Sequence, residues 1–498
     1  MHILTKSKIT SGLQCPKKLW FDVNQPIKKD LHIFYVGNRF GDFSRKHYGP
    51  GLNFEGQFSV DSILTQTKEA LEDSSVLAIY EAAFLNDDVL IRADVLIRKG
   101  TEWEMVEVKS STRHKPEHIA DAAVQTYVIR ACGVNLTNVK IGHINKEFSY
   151  QGDADYGTLL VEVDITAEIN ACQMNVNTWI DEFKVIATKG AHEPKVPMGE
   201  QCKDPYDCPY QERCKALLPK LDCVPISIIP MVGQKLADEW AIKGVKDLRD
   251  LPSEALSKPI FKMIQKAHDL NVPVINPALS KQIRSYPWPR FFMDFETVQQ
   301  GVPLMAHTKP YDALPFQWSV HKWNSPTHKL KLEDGIGFLE FLSQDMDREF
   351  LRSLIQAVGT EGPIFVHNAS FEKSKLRWLI ERNSCLEFKP AVEVLIDRIV
   401  DTLDLVREDG YYSPKMNGSF SLKAIVKTIP TAVDYSSSDA LSGGGDAQIV
   451  WFMCTDPNTP ESEKIEWARR LKNYCAQDTL AMYDLLRYLE NSTDAVSL

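Results

Sequence analysis

No stretch of about 18 or more consecutive apolar residues occurs, so no transmembrane helix is expected. The first residues, Met1-His-Ile-Leu-Thr-Lys-Ser-Lys8, lack the apolar core of a secretory signal and point to the cytoplasm. Disulfides are not expected in that reducing compartment, so the 10 cysteines are read as metal ligands or buried side chains. Basic residues are not in excess either. With 57 Lys and Arg against 67 Asp and Glu, the net charge of −10 excludes a surface that coats nucleic acid throughout. A local basic groove stays open, because acids gathered at metal sites contribute to that negative total. There is no repeat of solenoid length and no long low-complexity tract.

What remains is an ordinary globular composition spread over 498 residues, too many for one core and suited to roughly three domains. Residues 1–222 mix helical and strand patterns and end in a cysteine-rich segment. Residues 223–285 read as a small helical connector, with turns at Val232-Gly233 and Lys243-Gly244. Proline restrains the residue before it to extended conformations, so Tyr286-Pro-Trp-Pro289 reads as a linker. From 286 to 498 strands and helices alternate, the pattern of an α/β domain. Ser436–Gly445, rich in Ser and Gly, reads as a mobile loop within it. The expected fold class is therefore α/β and multidomain.

The sharper chemical signal lies near the C-terminus. Arg290-Phe-Phe-Met-Asp-Phe-Glu-Thr297 places Asp294 and Glu296 on one face of a strand and Met293 and Phe295 on the other. In Asn473-Tyr-Cys-Ala-Gln-Asp-Thr479, Tyr474 and Asp478 are one helical turn apart and share a face. Between them lie His367-Asn-Ala-Ser-Phe-Glu372 and Asp401-Thr-Leu-Asp404. A strand with two carboxylates and a distant helix with Tyr and Asp meet the needs of a two-metal phosphodiester-cleaving site. In this order the motifs resemble the DnaQ-like 3′→5′ exonucleases with Tyr in the last motif, over about 290–490. The resemblance implies an RNase H-like fold with the catalytic strand at the centre of a mixed sheet. It implies that Asp294, Glu296 and Asp478 hold two Mg²⁺ or Mn²⁺ ions and that Tyr474 orients the attacking water. The family's second motif supplies Asp where this chain has Glu372. That residue is a metal ligand on this reading, or else Asp404 or a water fills the gap.

A second set of carboxylates lies upstream. Ile91-Arg-Ala-Asp-Val-Leu-Ile97 and Glu102-Trp-Glu-Met-Val-Glu-Val-Lys-Ser110 read as a hairpin turning near Lys99-Gly100. Glu107 and Lys109 share a face, with Asp94 on the preceding strand. Two carboxylates grip one or two divalent ions, and an ammonium stabilises the developing charge. This Asp…Glu-X-Lys pattern resembles restriction-endonuclease-like nucleases. Cys202, Cys208 and Cys214 form Cys-X5-Cys-X5-Cys, and Cys15 lies far upstream in Gly12-Leu-Gln-Cys-Pro-Lys-Lys-Leu-Trp20. One cysteine before the core and three after it resemble the iron–sulfur nucleases of the RecB/AddB and CRISPR-adaptation type. That resemblance implies a [4Fe–4S] cluster at these four residues. A Zn²⁺ ion is the alternative cofactor, and Cys223 the alternative fourth ligand. Gln125 and Tyr127 resemble the same family's helix after the Lys strand, and Glu81 and His47 are further candidates. Cys132, Cys172, Cys385 and Cys454 are read as core residues, and Cys475 as packing in the Tyr474 helix.

Ile228–Trp240 and Gly244–Pro252 resemble a helix–hairpin–helix, with Lys235, Lys243 and Lys246 as its phosphate contacts. Across nearly the whole chain the arrangement resembles a bacterial family of unknown function. It implies a metal-dependent nuclease with a C-terminal 3′→5′ exonuclease site and an N-terminal RecB-like site, in repair or in defence against foreign DNA. The expected partner is nucleic acid, DNA before RNA, and no membrane. An RNA-trimming exonuclease and a nucleic-acid-binding scaffold with degenerate sites are the alternatives.

Overall fold

The computed structural model describes residues 3–27, 31–57, 59–218, 223–343, 345–408, 410–431, 433, 435, 441 and 443–492. The expected boundary at 222 lies outside the described residues, as do 436–440 and 442 of the expected mobile loop. The fold is mixed α/β, with several sheets. Among the described residues no helix is long and apolar enough to cross a membrane. The chain divides into two compact units, Met1–Pro219 with Gln299–Asp312, and Lys220–Val298 with Ala313–Leu498.

The first unit is built on one sheet. Its strands are β1 (Leu4–Thr5), β2 (Leu52–Asn53), β3 (Ala78–Asn86), β4 (Val89–Lys99), β5 (Glu102–Lys109), β6 (Leu136–Ile144) and β7 (Leu160–Asp164). They run in the order β2-β3-β4-β5-β6-β7, with β1 parallel to β4. β3, β4 and β5 form an antiparallel meander. The turn between β4 and β5 is two residues long because Gly100 takes φ +69°, which suits its place in a tight hairpin. β5 and β6 are parallel, which requires a crossover, and helix Pro116–Ala131 supplies it. That helix buries Ala122, Val124 and Val128 against Leu96 and Met105 of the sheet. Residues 299–312 belong here: Tyr150 bridges Thr308, and the Tyr156 hydroxyl donates to the Pro303 carbonyl at 2.9 Å.

The second unit contains β8 (Val274–Ile275) and a five-stranded sheet. That sheet consists of β9 (Arg290–Gln299), β10 (Ala313–Trp323), β11 (Ile336–Leu339), β12 (Ile364–Val366) and β13 (Ile399–Asp401), in the order β11-β10-β9-β12-β13. β12 is parallel to β9 and to β13, whereas β11 is antiparallel to β10, so the sheet is mixed with β9 at its centre. A further strand, β14 (Tyr411–Tyr412), pairs antiparallel with β8. β9 is buried on both faces. Phe291, Met293 and Phe295 pack with Phe350 and Leu376, while Phe292 packs with Trp323 and with Leu480 and Tyr483 of helix Glu461–Asn491. The helical segment expected at 223–285 shares this second core, because Ile226, Leu248, Phe261 and Ile283 pack in the same cluster as Phe292 and Leu480.

Candidate active sites

Strand alternation fixes the first part of the C-terminal site. Asp294 and Glu296 leave β9 on the face opposite Met293 and Phe295, the face that helix Glu461–Asn491 covers. Tyr474 and Asp478 come from that helix, one turn apart. The third contribution is Glu372, in the first turn of helix Ala369–Ile380. Asn368, at φ +82°, makes the turn into that helix, and Asp401 accepts from the backbone N–H groups of Asn368 and Ala369 at 3.0 and 2.7 Å. Asp401 thus ties down the helix end and is a structural residue. Glu372 is 2% exposed, and its Oε2 has no hydrogen-bond partner. Burial, followed by the charge of Asp294, pushes its carboxyl well above the usual range. Asp404, the alternative, is exposed and lines a separate cavity with Lys258, Arg407 and Phe420.

Burial and mutual repulsion dominate the electrostatics. Asp294 is raised by burial and then by Asp478, and Glu296 by burial and then by Asp294. Burial also raises Asp478, against the donation of Tyr435 and the charge of Lys423. Asp294, Glu296 and Cys475 offer donor atoms within 4.8 Å of one another. Three contributors were not read from the sequence. The Tyr435 hydroxyl donates to Asp478 Oδ1 at 2.6 Å, Lys423 Nζ lies 3.5 Å from the Tyr474 hydroxyl, and the buried Cys475 thiol lies 3.8 Å from Asp294 Oδ2. Cys475 therefore does more than pack.

In the first unit Asp94, Glu107, Lys109 and Gln125 come together. Glu107 is fully buried; Lys109 donates to its Oε1 and Gln125 to its Oε2, both at 2.7 Å. Asp94 Oδ2 accepts from the Val108 N–H at 2.7 Å. Burial and the Glu107 charge raise the Asp94 carboxyl. Burial works the same way on Glu107, but Lys109 and Lys6 outweigh it and hold that carboxyl low. Two members were missed. Asp121 accepts from Lys109 at 2.5 Å, and Lys6 reaches Glu107 Oε1 at 2.9 Å. The spacing of Asp121 and Gln125, one turn apart on one helix face, was a signal available for the first. Glu81, at φ +57°, falls between the Tyr80–Val95 and Ala82–Ala93 pairs of the β3–β4 ladder, and its carboxyl is raised by burial against the charge of Lys6. His47 and Tyr127 belong elsewhere. His47 is exposed with its ring beside Phe43 and Tyr48, and the Tyr127 hydroxyl donates to Asn177 on the next helix face.

Cys15, Cys202, Cys208 and Cys214 line one cavity, with Lys17, Lys18 and Tyr210. Cys15 is held there because Gln14 Nε2 donates to the carbonyls of Gln201 and Tyr206, at 2.9 and 2.7 Å. Cys223 does not line the cavity. Cys385 and Cys454 are buried as expected, Cys172 is half-buried, and Cys132 is exposed because it caps the end of helix Pro116–Ala131. In the connector, one helix, Gly233–Ala241, follows a 3-10 turn, and a Cβ on Gly233 would meet the Ser227 carbonyl at 2.6 Å. Lys235, Lys243 and Lys246 are exposed, with Lys243 3.9 Å over the Trp240 ring.

The chain is thus a mixed α/β protein with two buried to half-buried carboxylate centres and a four-thiol cavity. A family model described as "Domain of unknown function (DUF2779)" matches residues 291–421, which include Asp294, Glu296 and Glu372. Among curated proteins, "Uncharacterized protein MG366" of Mycoplasma genitalium is 23% identical over 220 residues, 41% of this chain and 32% of that protein. The chain thus matches about a third of the length of that relative.

Proposed function

We propose that the chain is a divalent-metal-dependent nuclease that hydrolyses phosphodiester bonds of DNA at two centres, in repair or in defence against foreign DNA. The observation that carries the reading is the meeting of half-buried Asp294 with buried Glu296 and Glu372, where the charges of Asp294 and of half-buried Asp478 bear on their neighbours, with Tyr474 one turn from Asp478. Burying that many like charges with an unpartnered Glu372 oxygen is costly unless a cation compensates them. The carboxylate oxygens, which outnumber the one nearby thiol of Cys475, suit a hard ion such as Mg²⁺ or Mn²⁺. Such ions, when bound, supply the Lewis acidity that activates water and stabilises the leaving oxygen. The Tyr474 hydroxyl then orients the attacking water, Lys423 steadies that hydroxyl, and Tyr435 fixes Asp478. The mixed sheet with β9 at its centre supports an RNase H-like exonuclease domain.

The meander β3–β5 and the crossover to β6 support a restriction-endonuclease-like core in the first unit. There Asp94 and Glu107 are the metal ligands, Gln125 fixes Glu107, and Lys109 presents its ammonium to the developing charge. The four thiols suit a [4Fe–4S] cluster.

The test is cleavage of 5′- and 3′-labelled single- and double-stranded DNA and RNA with Mg²⁺ or Mn²⁺. Asp294→Ala should lose the ladder produced from 3′ ends and Lys109→Ala the remaining products, with the double variant inert. RNA cleaved in preference to DNA would change the substrate. No cleavage by metal-loaded wild type would leave a binding scaffold.

A further inference from the structure

Lys6 opens helix Lys6–Gln14, whose N-cap is Thr5. Its Nζ lies 2.9 Å from Glu107 Oε1 and 3.7 Å from Asp94 Oδ1, and its side chain is 26% exposed. Every oxygen of the Asp94/Glu107 pair is already faced by a partner. Val108 N–H takes Asp94 Oδ2, Gln125 takes Glu107 Oε2, and Lys109 shares Glu107 Oε1 with Lys6. Lys6 Nζ, within 4 Å of an oxygen of each carboxylate, stands where a divalent ion shared by Asp94 and Glu107 would lie. The Val108 amide is fixed in β5. Lys109 has a second anchor in Asp121 at 2.5 Å, which keeps it in place when Glu107 turns to another cation. Among the described residues Lys6 has its ion pairs with Asp94 and Glu107, and its side chain is 26% exposed.

We propose that Lys6 is the resident cation of this site, an ammonium seated between Asp94 and Glu107 that must withdraw for a divalent ion to bind. Metal affinity at the N-terminal centre is then set by a competition within the chain, and Lys6 is a positioning residue for the reaction. The inference rests on the reading of Asp94 and Glu107 as metal ligands. Removing a unit charge that competes for the same oxygens favours the divalent ion at short range.

The test is Mn²⁺ binding by electron paramagnetic resonance and calorimetry. It uses the full chain with Asp294→Ala and Asp478→Ala, so that the first unit's site is measured alone. Lys6→Met keeps the length of the side chain and removes its charge, and should tighten Mn²⁺ by about tenfold or more. Lys6→Arg keeps the charge and should bind as Lys6 does, which also controls for folding. Equal or weaker binding by Lys6→Met overturns the role of Lys6 while leaving Asp94 and Glu107 as ligands. If neither protein takes up millimolar Mn²⁺, the metal reading of the pair fails and the proposal with it.

Discussion

At the scale of single residues, the C-terminal centre turns on Glu372. Its extra methylene relative to Asp matters little if the helix start brings the carboxyl into the cluster. The buried Glu372, whose carboxyl is raised by burial and then by the charge of Asp294, meets that condition. Asp404 does not, because it is exposed on another cavity. Glu372→Ala should therefore lower 3′-end cleavage at least about 100-fold, whereas Asp404→Ala should stay within about twofold. The reverse pattern would remove Glu372 from the site. Tyr435 is argued in the same way. Without its hydroxyl, Asp478 loses a 2.6 Å donor, so Tyr435→Phe should weaken Mn²⁺ binding and cleavage together by about 10- to 100-fold. A change in neither sinks the positioning role. Asp294, Glu296, Tyr474 and Asp478 were legible because strand and helix periods alone decide which neighbours share a face. Lys6, Lys423 and Tyr435 were not, since each enters its site from a distant segment and local sequence says nothing of where that segment lands.

At the scale of elements, helix Lys6–Gln14 joins two chemistries. Lys6 lies in the carboxylate centre at its first position, and Cys15 follows its last. The second N-terminal helix, Pro16–Asn24, is pinned to the cysteine segment by Trp20 donating to the Ala191 carbonyl at 2.6 Å and by Tyr210 donating to Asp22 at 2.7 Å. Tyr210, buried and stacked on Phe21 at 4.9 Å, ties residues 196–214 to this helix, and the proposed thiol ligation would add to that anchor. Protein purified without oxygen should carry about four irons per chain and absorb in the visible; one zinc and no colour would assign Zn²⁺ instead. Cys202→Ala with Cys208→Ala should raise amide exchange first in residues 6–24 and 196–214, before β3–β6. Uniform exchange across the unit would show that the thiols do not anchor these helices. The hairpin of β4 and β5 was readable from alternation and Gly100. The merging of the connector with the β9 sheet's core was not, because the partners of Ile226 and Phe261 lie far along the chain.

At the scale of the whole molecule, two units with separate cores invite separate responses to metal and pH. In the metal-free protein the Asp294, Glu296, Glu372 and Asp478 carboxyls all sit above their ordinary range, chiefly through burial. A raised folded-state pKa contributes stability that is present below the unfolded value and lost as pH climbs through the folded one. The second unit without metal should therefore weaken as pH rises above the ordinary carboxylate range. His321 and His367 act in the opposite sense. Burial lowers both, so their contribution is present above the ordinary histidine value and lost as pH falls below it. Wherever these carboxyls still hold protons, Mn²⁺ must displace them to bind. The rise in Tm of the second unit on adding Mn²⁺ should grow with pH. At a hundredfold excess over Kd it should approach about 2.7 kcal/mol, or roughly 5–10 °C. Calorimetry of the full chain with and without Mn²⁺, repeated from pH 6 to about 8.5 with proton release measured in two buffers, checks the sign. A metal-induced shift that shrinks as pH rises would mean that these carboxyls are not the ligands, and the two-metal reading of the β9 site would go with them.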